Sequence, residues 1–135
     1  MHNNFGSILK IEKNKLEGYI GDLNKLLIKK DDKNKELSDL LNNCNKEIKK
    51  ISSNKGKLFN IVNFNELYMR KKNAVEAAID DLEEKIYYAQ KKVQDQFAEV
   101  KKIEIIIKKN KIEYKKYLEE KYQKELDEIK SIRRL

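Results

Sequence analysis

Apolar residues in the first half of this chain recur every seven positions. Leu9, Leu16, Leu23, Leu37, Cys44, Ile51 and Leu58 form one row, with Lys30 its single polar member. A companion row runs through Ile20, Leu27, Leu41, Ile48 and Val62, interrupted by Asn34 and Lys55. Alternating steps of four and three put both rows on one narrow helical stripe, the pattern of a coiled-coil seam. Such a stripe is too narrow to enclose a globular core and suits packing against one other helix.

The second half repeats the pattern. Val75, Ile79, Leu82, Ile86, Ala89, Val93, Val100, Ile103, Ile107 and Tyr114 make its seam, with Gln96 and Asn110 as polar insertions. Beyond Tyr114 the row shifts to Leu118, Tyr122, Leu126, Ile129 and Ile132, and two consecutive steps of four mark a stutter, where supercoiling relaxes. Between the halves lies Ser52-Ser53-Asn54-Lys55-Gly56, the one mid-chain cluster of residues that weaken a helix. Asn63 or Asn65 is placed to cap the second helix, with Glu66 three residues after Asn63 as in a capping box.

These signals predict an all-α fold: one coiled-coil domain over residues 1–135, with helix 1 at about 5–52, a turn region at 53–63 and helix 2 at about 64–134. Helices this polar are marginal alone in water, so each needs a partner. Folding back at the break supplies it as an antiparallel hairpin, in which helix 2 overhangs helix 1 at its C-terminal end. A parallel dimer of straight rods is the alternative, and polar seam residues set register in either.

Composition narrows the function classes. Charged residues make up 40% of the chain, with no Pro and no Trp, as in long helices and not compact globules. One cysteine, Cys44, and one histidine, His2, exclude an internal disulfide, a multi-thiolate zinc site and a Cys–His nucleophile pair. No cofactor-binding or phosphate-binding motif is present. Neighbouring acids such as Asp80-Asp81 and Glu119-Glu120 point to different sides of a helix and make no carboxylate dyad. The expectation is a protein that is not an enzyme and needs no cofactor. No apolar run approaches a membrane span and no signal-peptide pattern opens the chain, so a soluble, cytoplasmic protein is expected.

The net charge of +8 is divided evenly, each half carrying +4 with acids interspersed, so no basic arm stands out. Lys108 to Lys116, with Tyr114 inside it, is the best nucleic-acid candidate, but a rod offers no groove in which bases stack. Phe59, Phe64, Leu67 and Tyr68 cluster near the break and either close the hairpin core or form a docking patch. Phe5, Ile8 and Ile11 pose the same choice at the other end.

Three stretches carry a family resemblance. Phe64-Asn65-Glu66-Leu67-Tyr68 opens an uninterrupted helix with aromatics, Glu99-Val100-Lys101-Lys102-Ile103-Glu104 sits mid-helix, and Gln123-Lys124-Glu125-Leu126-Asp127-Glu128-Ile129 with Arg133-Arg134 closes the chain. On these the chain resembles the FliJ/YscO family of type III export components, well over about 60–135 and only in pattern over 5–50. The resemblance implies a monomeric antiparallel coiled coil, similar to the two-helix part of a rotary ATP synthase stalk. Its implied partners are the hexameric export ATPase, the membrane protein of the export gate and the export chaperones. Its implied place is the cytoplasm, at the periphery of the inner-membrane export apparatus. The ATPase-facing residues it implies are Ile8, Leu9, Asp127, Glu128, Arg133 and Arg134; the gate-facing residues are Phe64 and Tyr68. Lys71 departs from the family's gate-facing surface, where a small or apolar residue is expected. Flagellar and injectisome machines both stay open, as do a generic coiled-coil scaffold and a basic nucleic-acid-binding arm.

Overall fold

The computed structural model describes residues 3–53 and 58–134, without the side chains of 3, 52–53, 58–61 and 134. Two helices account for all of them: α1, Asn3–Ser53, and α2, Leu58–Arg134. They pack against each other as the antiparallel helical hairpin that the twin seams predict. α2 begins ahead of Phe64, so Asn63 and Asn65 lie inside the helix and do not cap it. No breaker follows Gly56 in the sequence, so nothing delays the helix to those asparagines. The middle of the predicted break, residues 54–57, lies outside the described residues, as does the side chain of Phe59.

The chain divides into two compact units. Unit 1 joins residues 1–17 to 94–135, and unit 2 comprises residues 18–93. In unit 2 the core is a single stripe whose buried apolar members are Cys44 of α1 and Val75, Ile79, Leu82 and Ile86 of α2. Along α1 the predicted row of Leu23, Lys30, Leu37, Cys44 and Ile51 does face α2. Its companion differs from the expected one. Tyr19, Leu26, Lys33 and Leu40 are the half-buried residues, whereas Ile20, Leu27 and Leu41 remain 40%, 39% and 50% exposed.

The long amphipathic side chains explain this choice. Tyr19 lies under the ammonium of Lys92, with Nζ 5.4 Å from the ring centroid, a contact that keeps the tyrosine at the seam while its hydroxyl can stay wet. Lys30 runs its stem along the seam and reaches Glu83, Nζ to Oε1 3.4 Å. Past Leu40 the half-buried and buried positions step by four twice, Leu40 to Cys44 to Ile48, and α2 does the same at Phe64, Tyr68 and Lys72. The two stutters share one cavity wall, lined by Leu40, Cys44, Phe64 and Tyr68. Matching relaxations of the supercoil let both helices stay in contact through this stretch.

In unit 1 the stripe is shorter. Gln96 and Val100 are buried, and Phe5, Leu9, Glu12 and Leu16 of α1 are half-buried with Ile103, Ile107 and Asn110 of α2. Gln96 would be a liability in an apolar seam, because a buried amide must keep its hydrogen bonds. Its Nε2 donates both hydrogens to one residue, to the Glu12 backbone oxygen at 2.9 Å and to the Glu12 carboxylate. Lys13 adds a pair with Glu104, Nζ to Oε1 3.7 Å. This polar clasp ties α1 to α2 in one register.

Candidate functional site

Phe5 marks where α1 stops covering α2. Its side chain lines a cavity of about 280 Å³ with Ile107, Asn110, Lys111 and Tyr114. Beyond that point the character of α2 changes: every residue from 111 to 125 is exposed, Leu126 is half-buried, and residues 127 to 133 are exposed again. Tyr114, expected in the seam, is half exposed and lines the same cavity as Phe5. The overhang of helix 2 anticipated from the unequal halves is therefore present in unit 1, and about 22 residues of helix correspond to roughly 30 Å.

This overhang is apolar on part of its circumference. Tyr117, Leu118, Tyr122, Ile129 and Ile132 are all exposed large hydrophobic side chains, Ile132 at 69%. Leaving that many in water disfavours the free state by a few kcal/mol at about 25 cal/mol per Å², and contiguous patches of this kind mark interaction surfaces. Charges surround it, and among the described residues no ion pair involves a residue beyond Glu104. Gln123 donates to Asp127 from one turn away, Nε2 to Oδ1 3.3 Å.

The residues implied as ATPase-facing fall in two places within unit 1. Ile8, exposed, and Leu9, half-buried in the seam, lie on α1 beside the covered part of α2. Asp127, Glu128 and Arg133 are exposed on the overhang, more than a dozen residues past the cavity at Phe5. The structure does not gather them into one cluster; the side chain of Arg134 is outside the described residues. Phe64 and Tyr68, implied as gate-facing, are brought together in unit 2. Both are half-buried, one turn apart, on a cavity of about 170 Å³ shared with Leu40, Cys44, Leu67 and Lys71. Lys71 is exposed at its rim, so the departure noted in the sequence puts a cation beside the aromatic pair.

Sequence reasoning missed the clasp at Glu12. Its carboxyl is held below the ordinary carboxylate range, chiefly by the hydrogen bond from Gln96 and then by that from Lys15, whose Nζ is 3.2 Å away. The signal was a polar residue at a heptad position in each half, which is visible only once the register of the two halves is known. Among the described residues no group of three or more His, Cys, Asp or Glu side chains is placed to hold a metal. No described helix is long and apolar enough to cross a membrane.

A two-helix scaffold whose distinctive features are an uncovered helix end and an aromatic cavity belongs to the class of helical interaction proteins. The chain is a member of the flagellar FliJ protein family, which matches it over residues 1–134. Membership makes it a component of the flagellar protein-export apparatus, in a family with no catalytic role. Of the two machines the sequence leaves open, the match is to the flagellar one. No curated protein and no solved structure matches the chain.

Proposed function

We propose that this chain is a stalk-like adaptor of flagellar export that seats the overhanging end of α2 in the hexameric export ATPase. The single observation that carries this is the exposure of residues 111–133, all but the half-buried Leu126. It leaves an apolar, charge-fringed helix end on the surface of the described residues. Seating such an end in a ring through several exposed charge pairs gives a reversible contact, because each pair contributes at most about 1 kcal/mol. Electrostatic complementarity then governs the rate and orientation of docking more than its strength. Asp127, Glu128, Arg133 and Arg134 supply those charges, and Ile8 and Leu9 support the covered base of the same unit. The coupling to the membrane protein of the export gate runs through Phe64 and Tyr68, whose aromatic cavity takes an apolar side chain, with Lys71 and Glu47 both on its lining. Export chaperones are the third class of partner. On this reading the chain works in the cytoplasm, peripherally associated with the inner-membrane export apparatus.

The test is hydrolysis by the purified export ATPase with and without this chain. Wild type stimulates turnover. Arg133→Glu with Arg134→Glu loses most of the stimulation while far-ultraviolet circular dichroism is unchanged. Full stimulation by the double variant contradicts the reading.

A further inference from the structure

Charge is divided evenly along this chain but not around α2. In unit 1 the seam positions Gln96, Val100, Ile103, Ile107 and Asn110 are buried or half-buried and step by four and three. The three heptad positions farthest from that seam carry a pattern of their own. The outermost holds Ala98, Ile105 and Ile112, and the two beside it hold lysines in pairs, Lys101-Lys102, Lys108-Lys109 and Lys115-Lys116. All of these side chains are exposed, Ile105 at 65%. Residues 97–116 contain seven lysines and three acids; six of the lysines and none of the acids fall on this face. Asp95, seven residues before Lys102, and Glu119, seven after Ile112, close it at either end.

Apolar residues at the outermost position of a two-helix coiled coil add nothing to its seam. Phe97, also exposed, stands at the edge of the same face, with the Nζ of Lys101 5.3 Å from its ring centroid. Lys101 and Lys102 pair with Glu104 and Glu99 at 3.3 and 3.6 Å, whereas the four lysines from 108 to 116 enter no ion pair among the described residues. A surface that covers this face must therefore be anionic and admit apolar side chains. Spacing then selects among anionic surfaces. A partner helix needs apolar residues every three or four positions to build a seam, and Ile105 and Ile112 are seven apart with lysines between. Single-stranded nucleic acid stacks its bases on aromatics and gains nothing from two isoleucines. An anionic bilayer satisfies both parts: separate apolar side chains enter the headgroup boundary while the lysines on either side of them snorkel to the lipid phosphates.

We propose that this face of α2, residues 97–116, is a membrane-contact surface that lies flat on an anionic phospholipid bilayer. Phe97, Ile105 and Ile112 enter the headgroup boundary, and the six lysines hold the helix to the anionic surface. The contact extends about 22 Å along the helix from Phe97 to Ile112. It is reversible, because three apolar side chains bury too little to anchor a protein by themselves and each lysine near an anionic surface strengthens binding only about five-fold. It does not rest on the ATPase reading above, whose charged contacts on α2 begin at Asp127.

Flotation of the full chain with lipid vesicles tests this without the ATPase, so its failure and that of the ATPase reading are distinguishable. Wild type is expected to float with phosphatidylcholine vesicles that contain phosphatidylglycerol and not with phosphatidylcholine alone. Salt is expected to release it, as the reach of the charges shortens to about 3 Å near 1 M. Lys108→Glu with Lys115→Glu is expected to lower the affinity by about 25-fold or more. Lys121→Glu with Lys124→Glu makes the same change of charge at exposed positions on the opposite side of α2 and is expected to cost far less. Insertion has its own readout, because the chain has no Trp. The emission of Ile105→Trp shifts to the blue with anionic vesicles, whereas that of Ile106→Trp, one residue further round the helix, does not. A wild type that fails to float with anionic vesicles overturns the proposal, whether or not DNA or an acidic peptide retains it. Equal losses in the two double variants overturn it as well, as does an unshifted Ile105→Trp. All substituted positions are exposed, and unchanged helicity by circular dichroism identifies each effect as one on lipid contact.

Discussion

Gln96 shows how one polar residue sets a contact between helices. Its amide satisfies itself on the backbone and carboxylate of Glu12, a pairing that a slipped register would break on both sides. Gln96→Ala is expected to destabilise the chain by about 1–2 kcal/mol, since a buried amide bonded to a charged group is worth roughly that much. The effect carries a pH signature. Glu12 has its folded-state value depressed, first by Gln96 and then by Lys15. Its contribution is therefore complete above the ordinary carboxylate range and is lost as pH falls through the lower folded value. Thermal unfolding should show the largest gap between wild type and Gln96→Ala near neutrality, with the gap narrowing in acid. A gap independent of pH would assign the loss to packing alone. Gly18 and Gly21 give a second residue-scale prediction. Both sit inside α1, and a Cβ added at either meets no atom within 4 Å. Replacing either by Ala should stabilise the chain by about 1 kcal/mol through helix propensity, read as a higher urea midpoint with unchanged slope.

At the scale of the element, α2 was legible where its apolar residues kept the four–three rhythm without competition. Val75 to Ile107 are all on the face that the spacing assigns. α1 was legible in one row and, of the other, at Ile48. Ile20, Leu27 and Leu41 are more hydrophobic than Tyr19, Lys33 and Glu12, so composition favours the wrong flank; contacts supplied by the other helix, from Gln96 and Lys92, decide for the polar row. The start of α2 was misplaced for a similar reason: asparagines suggested caps, and the apolar residues that precede them continue the helix instead. Tyr114 shows the limit in reverse, because its spacing fits the seam but it sits at the edge of it, half exposed beside Phe5. The element therefore has two regimes, and substitutions should divide between them. Val100→Ala, at a site only 3% exposed, is expected to cost about 2 kcal/mol through lost burial and an unfilled space. Leu118→Ala, in dilute protein, should change stability by less than about 0.5 kcal/mol. Equal losses at the two sites would mean that the overhang is packed after all. Hydrogen exchange draws the same boundary. Amides past Tyr117 belong to a stretch whose described side chains are exposed but for Leu126, and should exchange far faster than those around Val100.

For the whole molecule, the sequence resemblance points to a type III export component, the family match narrows it to the flagellar one, and the structure adds which part of α2 is exposed. Binding energy comes from covering what the free chain exposes, so the exposed end of α2 is where a partner has most to gain. The aromatic cavity at Phe64 and Tyr68 is smaller and already half-buried, which fits a single inserted side chain and a weaker contact. The measurement that bears most directly on this account is site-specific photo-crosslinking to the purified hexameric export ATPase. A photoreactive residue replaces Tyr122 in one variant and Tyr88, exposed within unit 2, in another. The account predicts strong crosslinking from position 122 and little from position 88. Crosslinking from 88 with none from 122 would contradict it, and would move the ATPase contact off the α2 overhang.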